Sequence, residues 1–185
     1  MKTETIIVDS TEPDSCSLDQ TAQVLADGGI VGLPTETVYG LAARVDHKEA
    51  MARLAELKGE RGDKPYSIHI ADFEDLDDLV PEIPVSCRQL AEKYWPGPLT
   101  IVIPNGSTGV GVRMPAHNVA REVIRRSGGR VICPSANPSN QEPATSALDG
   151  RRSGGWGDDD LDSSVGRWAP WRHDDVAPST RAGPG

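Results

Sequence analysis

Several absences limit what this chain of 185 residues can be. Cysteine is scarce: Cys16, Cys87 and Cys133 are far apart and show no CxxC spacing, so neither a disulfide framework nor a zinc site is indicated. No apolar run approaches the roughly 20 residues that cross a bilayer, and residues 1–10 lack the apolar core of a secretory signal. We therefore expect a cytoplasmic protein in a reducing compartment, without a membrane partner.

Basic residues are also outnumbered. The chain has 19 lysines and arginines against 28 aspartates and glutamates, a formal net charge of −9, which counts against bulk nucleic-acid binding. The charge is uneven, because residues 72–82 carry six acids and no base, whereas residues 111–130 carry five arginines and a single acid. The basic stretch suits a compact anion such as a nucleotide, and a solvated helix face explains its last four arginines equally well.

Apolar periodicity alternates between helix and strand without a strict βαβ order. A helix begins at Ser17, a candidate N-cap with Gln20 in the capping-box position, and ends at Gly28. Further helices are predicted over 48–58, 73–80, 86–94 and 118–127, and strands over 5–8, 30–33, 66–70, 99–104, 111–113 and 130–133. The sequence thus predicts one mixed α/β (α+β) domain over 1–148, with helices packed on a twisted sheet.

The stretch 149–185 differs in character from what precedes it. It holds seven glycines, three prolines and no lysine, and it shows neither helical nor strand periodicity. We expect this tail to be irregular. Its richness in Arg, Gly, Trp and Asp resembles GC-rich DNA translated out of frame, and a frameshift near Asp149 is our hypothesis. Resequencing that restores an intact downstream frame would support it, and a conserved frame as written would contradict it.

Two early loops carry candidate ligand groups. The segment PTETVYGLA follows a predicted strand and sets Thr35 and Thr37 on one side of an extended backbone, where two hydroxyls can bind a small polar ligand. The segment KGERGDKP groups Lys58, Arg61 and Lys64 with two glycines, a composition that suits phosphate, although Walker A spacing is absent. A Thr-capped turn and a charged surface loop are the structural alternatives.

Three further motifs lie in or just after predicted strands. His69 alternates with isoleucines in SIHI, and a lone strand histidine is more often structural than catalytic. Arg113 in VRMP stands at a strand end, where a guanidinium can bind a carboxylate or phosphate through two bonds or form a surface ion pair. Ser135 and Asn137 in PSANPS supply a hydroxyl and an amide for ligand oxygens, or close a turn.

Each motif is weak alone, but their order and spacing are specific. PTETVYGLA, KGxxxDKP with SIHI, YWPGPLT, VRMP and PSANPS follow the order of the YrdC-like domain of threonylcarbamoyl-AMP synthases, which the chain resembles over about 5–147. The resemblance implies a mixed sheet around a basic cavity. It also implies a nucleotidyltransferase that condenses L-threonine, bicarbonate and ATP, with Mg²⁺, into threonylcarbamoyl-AMP and pyrophosphate. The product would pass to a tRNA threonylcarbamoyl-transferase complex.

The resemblance also implies roles for individual residues. Those implied for threonine are Thr35, Thr37, His69 and Arg113. Those implied for ATP are Lys58, Arg61, Lys64, Ser135 and Asn137. Lys58 and Arg113 are the implied catalytic residues, because this chemistry needs positioning and charge neutralisation rather than a protein nucleophile. No resident metal is implied.

The chain departs from the family pattern in three places. The Lys-x-Arg motif that begins at Lys58 has Glu60 in the arginine position and Arg61 one place later, and SANxSG ends in Asn140. The Ser-Thr-Val-Val strand that follows the SAN motif in family members has no counterpart after Asp149. The alternatives are a non-enzymatic double-stranded RNA- or tRNA-binding module, an inactive truncated paralogue, and a hydrogenase-maturation carbamoyl-transfer domain, whose zinc-finger cysteines are missing here.

Overall fold

The computed structural model describes residues 4–6, 8–59, 65–137 and 163–165. Within these ranges the chain forms five helices and eight strands. The helices are α1 (Ser15–Ala26), α2 (Lys48–Lys58), α3 (Phe73–Leu79), α4 (Val85–Tyr94) and α5 (Asn118–Arg126). The strands are β1 (Glu4–Ile6), β2 (Val31–Leu33), β3 (Gly40–Arg44), β4 (Ile68–Ile70), β5 (Ile101–Asn105), β6 (Thr108–Arg113), β7 (Arg130–Ile132) and β8 (Ser163–Val165).

The described strands form one mixed sheet, which confirms the predicted fold class. Their order is β1-β8-β2-β3-β7-β4-β6-β5. β2 and β7 both pair antiparallel with β3, whereas β4 pairs parallel with β6 and sets His69 opposite Arg113. β4 is also antiparallel to β7, with His69 opposite Val131. The two residues predicted from separate motifs are therefore neighbours on adjacent strands of the sheet.

Helices cover both faces of the sheet. On one face, α1 and α5 pack through Leu25 and Val123 against Val31 and Val131. On the other face, α2 packs on the β3–β7 region; the buried members of this cluster include Ala50, Leu54, Leu41, Ala43 and Ile132. A third cluster fills the space between α3, α4 and the β4–β6–β5 end of the sheet. Because cover is present on both sides, the central strands are apolar on both faces.

The helix boundaries follow from local chemistry. α1 begins earlier than predicted: the N-cap is Asp14, whose Oδ1 accepts from the Ser17 N–H at 2.8 Å, so the proposed Ser17 cap is wrong. A carboxylate accepts a stronger hydrogen bond than a neutral hydroxyl does, which favours a cap at Asp14. At the other end Gly28, at φ +82°, allows the Gly29 N–H to reach the Val24 oxygen at 2.8 Å. The predicted α2 agrees with the structure at both ends.

Strand β3 was not predicted. Its residues Gly40–Arg44 lie within and after PTETVYGLA, a segment for which the sequence predicts ligand groups, or a turn, but no second strand. Leu41, Ala42 and Ala43 are all at most 1% exposed, so the period-2 alternation that marks a half-buried strand is missing. A fully buried strand this short carries no distinctive periodicity of its own.

The prediction that the tail after Asp149 has no regular structure is wrong for Ser163–Val165. These residues form β8, which pairs parallel with both β1 and β2. The neighbouring strands supply the hydrogen-bond partners that stabilise so short a segment, and no periodicity in three residues could announce them. The stretch for which the sequence showed no counterpart of the family's closing strand therefore contains a short strand. The remainder of the tail lies outside the described residues. The frameshift hypothesis therefore stays untested.

None of the helices in the described ranges has the length and apolar character needed to cross a bilayer.

Candidate functional site

Arg113, at the end of β6, is the centre of the candidate site. Its Nη2 donates to Glu36 Oε1 at 2.7 Å and to Thr37 Oγ1 at 3.1 Å, and its Nε donates to the Gly97 carbonyl at 3.2 Å. The side chains of Arg113 and Glu36 are only 12% and 18% exposed. Nη1 makes no hydrogen bond within the described part of the chain. The guanidinium is thus fixed on two edges and keeps donors for an anion on the third.

The loop between β2 and β3 is organised by the two predicted threonines. Thr35 Oγ1 donates to the Val38 carbonyl at 2.6 Å, accepts from the Val38 N–H at 3.2 Å, and lies 3.0 Å from Thr37 Oγ1. Thr35 is buried, so its hydroxyl mainly closes the turn. Thr37 Oγ1 faces Arg113 instead. The prediction that the two hydroxyls lie together is confirmed, and the Thr-capped turn offered as the alternative is present as well.

The YWPGPLT motif supports Arg113 from the opposite side. Gly97 donates its N–H to the Met114 carbonyl at 2.8 Å and offers its own carbonyl to Arg113 Nε. A Cβ at position 97 would overlap the Tyr94 carbonyl, which is why glycine is required there. Trp95 is 6% exposed and ties the loop by donating from Nε1 to the Leu99 carbonyl at 2.7 Å. A motif with no role assigned from the sequence is therefore the backbone seat of the central arginine.

His69 lies beside Arg113 as a neutral imidazole. Burial lowers its pKa from 6.5 to about 4, and the positive charge of Arg113 acts in the same direction. A backbone hydrogen bond at Ser67 and the charge of Glu36 oppose this shift in pKa only in part. Its Nδ1 is buried and has no hydrogen-bond partner among the described residues. A neutral imidazole with a free Nδ1 next to an arginine can bind a polar ligand group without adding a second positive charge.

Lys58 and the loop after β7 form another part of the site. Lys58 is 4% exposed, and its Nζ donates to the carbonyl oxygens of Ser135, at 2.6 Å, and Asn137. Leu41 donates to the Pro134 carbonyl at 2.8 Å and Ala136 to that of Tyr39 at 2.7 Å, so this loop is also stitched to β3. The structure thus brings Lys58, Ser135 and Asn137 together, as the predicted ATP set requires. Arg61 and Lys64, like Asn140, lie outside the described residues.

Cys133 and Gly40 form a close contact beneath these loops. A Cβ at Gly40 would overlap Cys133 Sγ and lie 3.1 Å from the Pro134 carbonyl. Burial raises the pKa of the Cys133 thiol to about 12, and the charges of Arg113 and Glu36 also act on it. The thiol is therefore protonated and serves as packing, not as a nucleophile.

Glu36 is the functional candidate that sequence reasoning missed. It lies between Thr35 and Thr37 in the motif, so only the hydroxyls were assigned. A carboxylate flanked by threonines gives no indication of its partner, which is 77 residues away. The burial of Glu36 and its contact with Arg113 appear only in the folded chain.

The later arginines are not part of this site. Arg125 forms two bonds to Asp72, at 2.6 and 2.7 Å, and Arg121 also contacts Asp72. Arg126 bonds Asp19 at 2.8 Å and fastens α5 to α1. For these three residues the contacts favour the helix-face interpretation over the anion-binding alternative, because each guanidinium is paired with an acid.

The chain is similar in sequence to proteins of one known family. The model of the Sua5/YciO/YrdC family, described as telomere recombination, matches residues 23–154. The chain belongs to this family. It is 43% identical over 136 residues to the threonylcarbamoyl-AMP synthase of Pyrococcus abyssi and 37% identical over 174 residues to that of Bacillus subtilis.

These matches cover 68% and 83% of this chain but only 40% and 50% of the two relatives. The chain thus spans about half the length of these curated relatives.

Solved structures agree with the family assignment. P. abyssi Sua5 complexed with L-threonine superimposes with a TM-score of 0.80 at 35% identity, covering 89% of this chain and 50% of that one. E. coli YciO gives a TM-score of 0.78 at 15% identity, with 88% and 83% covered, and supports the fold alone. The sheet and the helices that pack on it are therefore those of a known fold.

Proposed function

We propose that the chain is an L-threonylcarbamoyladenylate synthase, a nucleotidyltransferase that condenses L-threonine, bicarbonate and ATP into threonylcarbamoyl-AMP and pyrophosphate. The observation that carries the proposal is the half-fixed Arg113, held by Glu36, Thr37 and Gly97 beside a neutral His69. The names of the relatives support it, as does the threonine complex of a structure with the same fold.

In this proposal the threonine side of the site is Arg113 with its neighbours. The free Nη1 edge of Arg113 receives the carboxylate of threonine or of its carbamate. Thr37 Oγ1, which contacts the same guanidinium, can accept a hydrogen bond from the substrate or donate one to it. His69 Nδ1, which has no partner among the described residues, can form a further hydrogen bond to the substrate. Thr35 acts one step away by fixing the loop. The site selects a small, polar, anionic substrate.

The ATP side is the loop that Lys58 holds. Ser135 and Asn137 would contact the nucleotide, and Lys58 would place a positive charge next to the phosphates while it keeps that loop in shape. Arg61 and Lys64 remain predicted phosphate ligands. Among the described residues, no group of three or more histidines, cysteines or acids could hold a metal ion, so in this proposal Mg²⁺ is coordinated mainly by the phosphates of ATP.

The chemistry requires no protein nucleophile. The threonine amine and bicarbonate form a carbamate with loss of water. A carbamate oxygen then attacks the α-phosphate, forming the new P–O bond as the bond to pyrophosphate breaks. Positioning and charge neutralisation are what a site of this kind contributes to such a transfer. The product would supply a tRNA threonylcarbamoyl-transferase complex in the cytoplasm.

The test is to incubate the purified chain with ATP, Mg²⁺, L-threonine and bicarbonate, and to measure pyrophosphate and threonylcarbamoyl-AMP together. We expect both products to form, and to depend on threonine. Leaving out threonine is the first control, and the Arg113→Met variant is the second.

A folded wild-type chain that releases no threonine-dependent pyrophosphate would contradict the proposal. If that same chain retained double-stranded RNA, the binding-module alternative would replace it. The surface argues against that outcome, because Arg121, Arg125 and Arg126 are already paired with acids.

A further inference from the structure

Glu36 makes no contact with the substrate in the proposed reaction, yet the burial of one of its carboxylate oxygens is unfavourable. One oxygen, Oε1, bonds Arg113, while Oε2 is buried without a hydrogen-bond partner among the described residues. A buried carboxylate oxygen left without a donor is destabilising. Side chains that break the rules of stable packing in this way concentrate at functional sites. The carboxylate is therefore kept for what it does to Arg113.

The hydrogen bonds of Arg113 show how Glu36 acts on it. Gly97 takes the Nε hydrogen, and Glu36 and Thr37 share the two hydrogens of Nη2. These three acceptors come from two loops and fix the plane of the guanidinium. Without Glu36, the Nη2 edge keeps only the longer bond to Thr37, at 3.1 Å. Ordering an arginine side chain costs considerable rotamer entropy, which its hydrogen bonds must offset. With fewer hydrogen bonds the guanidinium samples more orientations, and its Nη1 donors are less well positioned.

We propose that Glu36 is a positioning residue for substrate binding: it holds Arg113 so that the Nη1 edge alone faces the carboxylate of the amino-acid substrate. This inference rests on the proposed function, because it takes L-threonine as the ligand of Arg113. It assigns to Glu36 no proton transfer and no contact with the substrate. What matters is the acceptor oxygen at Oε1 and not the negative charge.

That distinction gives opposite expectations for two substitutions. Glu36→Gln keeps an amide oxygen at the same place, so Arg113 remains seated. The competing negative charge is gone, so affinity for L-threonine stays at or above the wild-type value. Glu36→Ala removes the acceptor, and the dissociation constant of L-threonine rises by about tenfold to a hundredfold, the range expected when a binding group loses its fixed geometry.

The experiment is calorimetric titration of L-threonine and, separately, of ATP into the wild type, Glu36→Gln, Glu36→Ala and the control Glu92→Ala. Glu92 is an exposed acid on α4 and stands in no ion pair of the described residues. We expect only Glu36→Ala to lose threonine affinity, with ATP affinity equal in all four proteins. Equal ATP affinity also shows that Glu36→Ala is folded.

Three outcomes would overturn the inference. If Glu36→Gln loses as much affinity for L-threonine as Glu36→Ala does, the negative charge of Glu36 is what matters. That result is expected if Glu36 binds the ammonium group of the substrate. If both variants bind threonine more tightly, Glu36 is a competitor for Arg113. If Glu36→Ala binds as the wild type does, Arg113 needs no support.

A wild type that binds no threonine is a different result, because it refutes the proposed function itself.

Discussion

Two arginine–carboxylate pairs with the same chemistry occupy different regions of this molecule. Arg125 and Asp72 are joined by two bonds on the helical surface, where the side chains are 39% and 35% exposed. Arg113 and Glu36 are joined by one bond in the site, where they are 12% and 18% exposed. The Arg125–Asp72 pair has more hydrogen bonds, yet we expect it to matter less for stability and function than the Arg113–Glu36 pair. Solvent screens the attraction between Arg125 and Asp72, so that pair contributes little to stability. The contribution of the buried Arg113–Glu36 pair depends on how well neighbouring groups satisfy both charges.

The largest effect should come from breaking the inner pair. Arg113→Met leaves Glu36 buried and unpaired, so the free energy of unfolding should fall by about 2–4 kcal/mol at neutral pH, slightly below the range for fully buried pairs. Threonine-dependent pyrophosphate release should be lost. Urea unfolding followed by circular dichroism measures the first effect.

Pairing Arg113→Met with Glu36→Gln should recover more than half of the lost stability, since the isolated charge is then removed. Activity should not return. A double variant as unstable as Arg113→Met alone would mean that packing around Arg113, not the charge of Glu36, dominates.

Acid should destabilise the protein through His69. The imidazole titrates near 6.5 when unfolded and at about 4 when folded, so between these values the unfolded state binds more protons. The free energy of unfolding should therefore decrease as the pH falls from about 7 to 4, by up to roughly 3 kcal/mol for this pKa difference. His117, whose pKa is also lowered by burial, adds to the same trend.

The check is a series of urea titrations from pH 7.5 to 4.5 on the wild type and on His69→Gln. The variant should show a shallower dependence on pH. Asp72 does not interfere, because Arg125 lowers the pKa of its carboxyl below 3.8 and its contribution is lost only in stronger acid. Parallel curves for the two proteins would contradict the assignment.

Gly40→Ala tests how tightly the site is built on the sheet. The new methyl group would overlap Cys133 Sγ and approach the Pro134 carbonyl, so stability should fall by about 1–3 kcal/mol. Adding Cys133→Ala should relieve most of the effect by removing the sulfur. Thermal unfolding of the two variants and of Cys133→Ala alone is the measurement. An unchanged Gly40→Ala protein would show that the two loops move apart easily.

The smallest effect should come from the surface pair. Arg125→Ala should change the free energy of unfolding by about 0–1 kcal/mol, less in high salt, and should leave activity at the wild-type level. Unfolding in 50 mM and 1 M NaCl, run beside Arg113→Met, compares the two regions directly. An equal loss for the two arginines would break the contrast between them.

The sequence predicted the helices well because each one has its own local signal. α2 has an apolar stripe that begins and ends with the helix, and the bounds of α4 and α5 differ from prediction by a single residue at one end. The strands that failed were β3, buried on both faces, and β8, three residues long. In both cases pairing with neighbours, not residue pattern, makes the strand.

The chain alone determined the fold class, the family and most of the residues that meet at the site, because motif order and helical periodicity are properties of neighbouring residues. Only the tertiary structure showed that Arg113 is largely buried against Glu36 in the candidate site, whereas Arg125 is paired with Asp72 at the surface. It also showed that Glu36 belongs to the site and that YWPGPLT supports it through a backbone carbonyl. Contacts between residues far apart in sequence follow from the packing of the whole chain, and no local pattern encodes them.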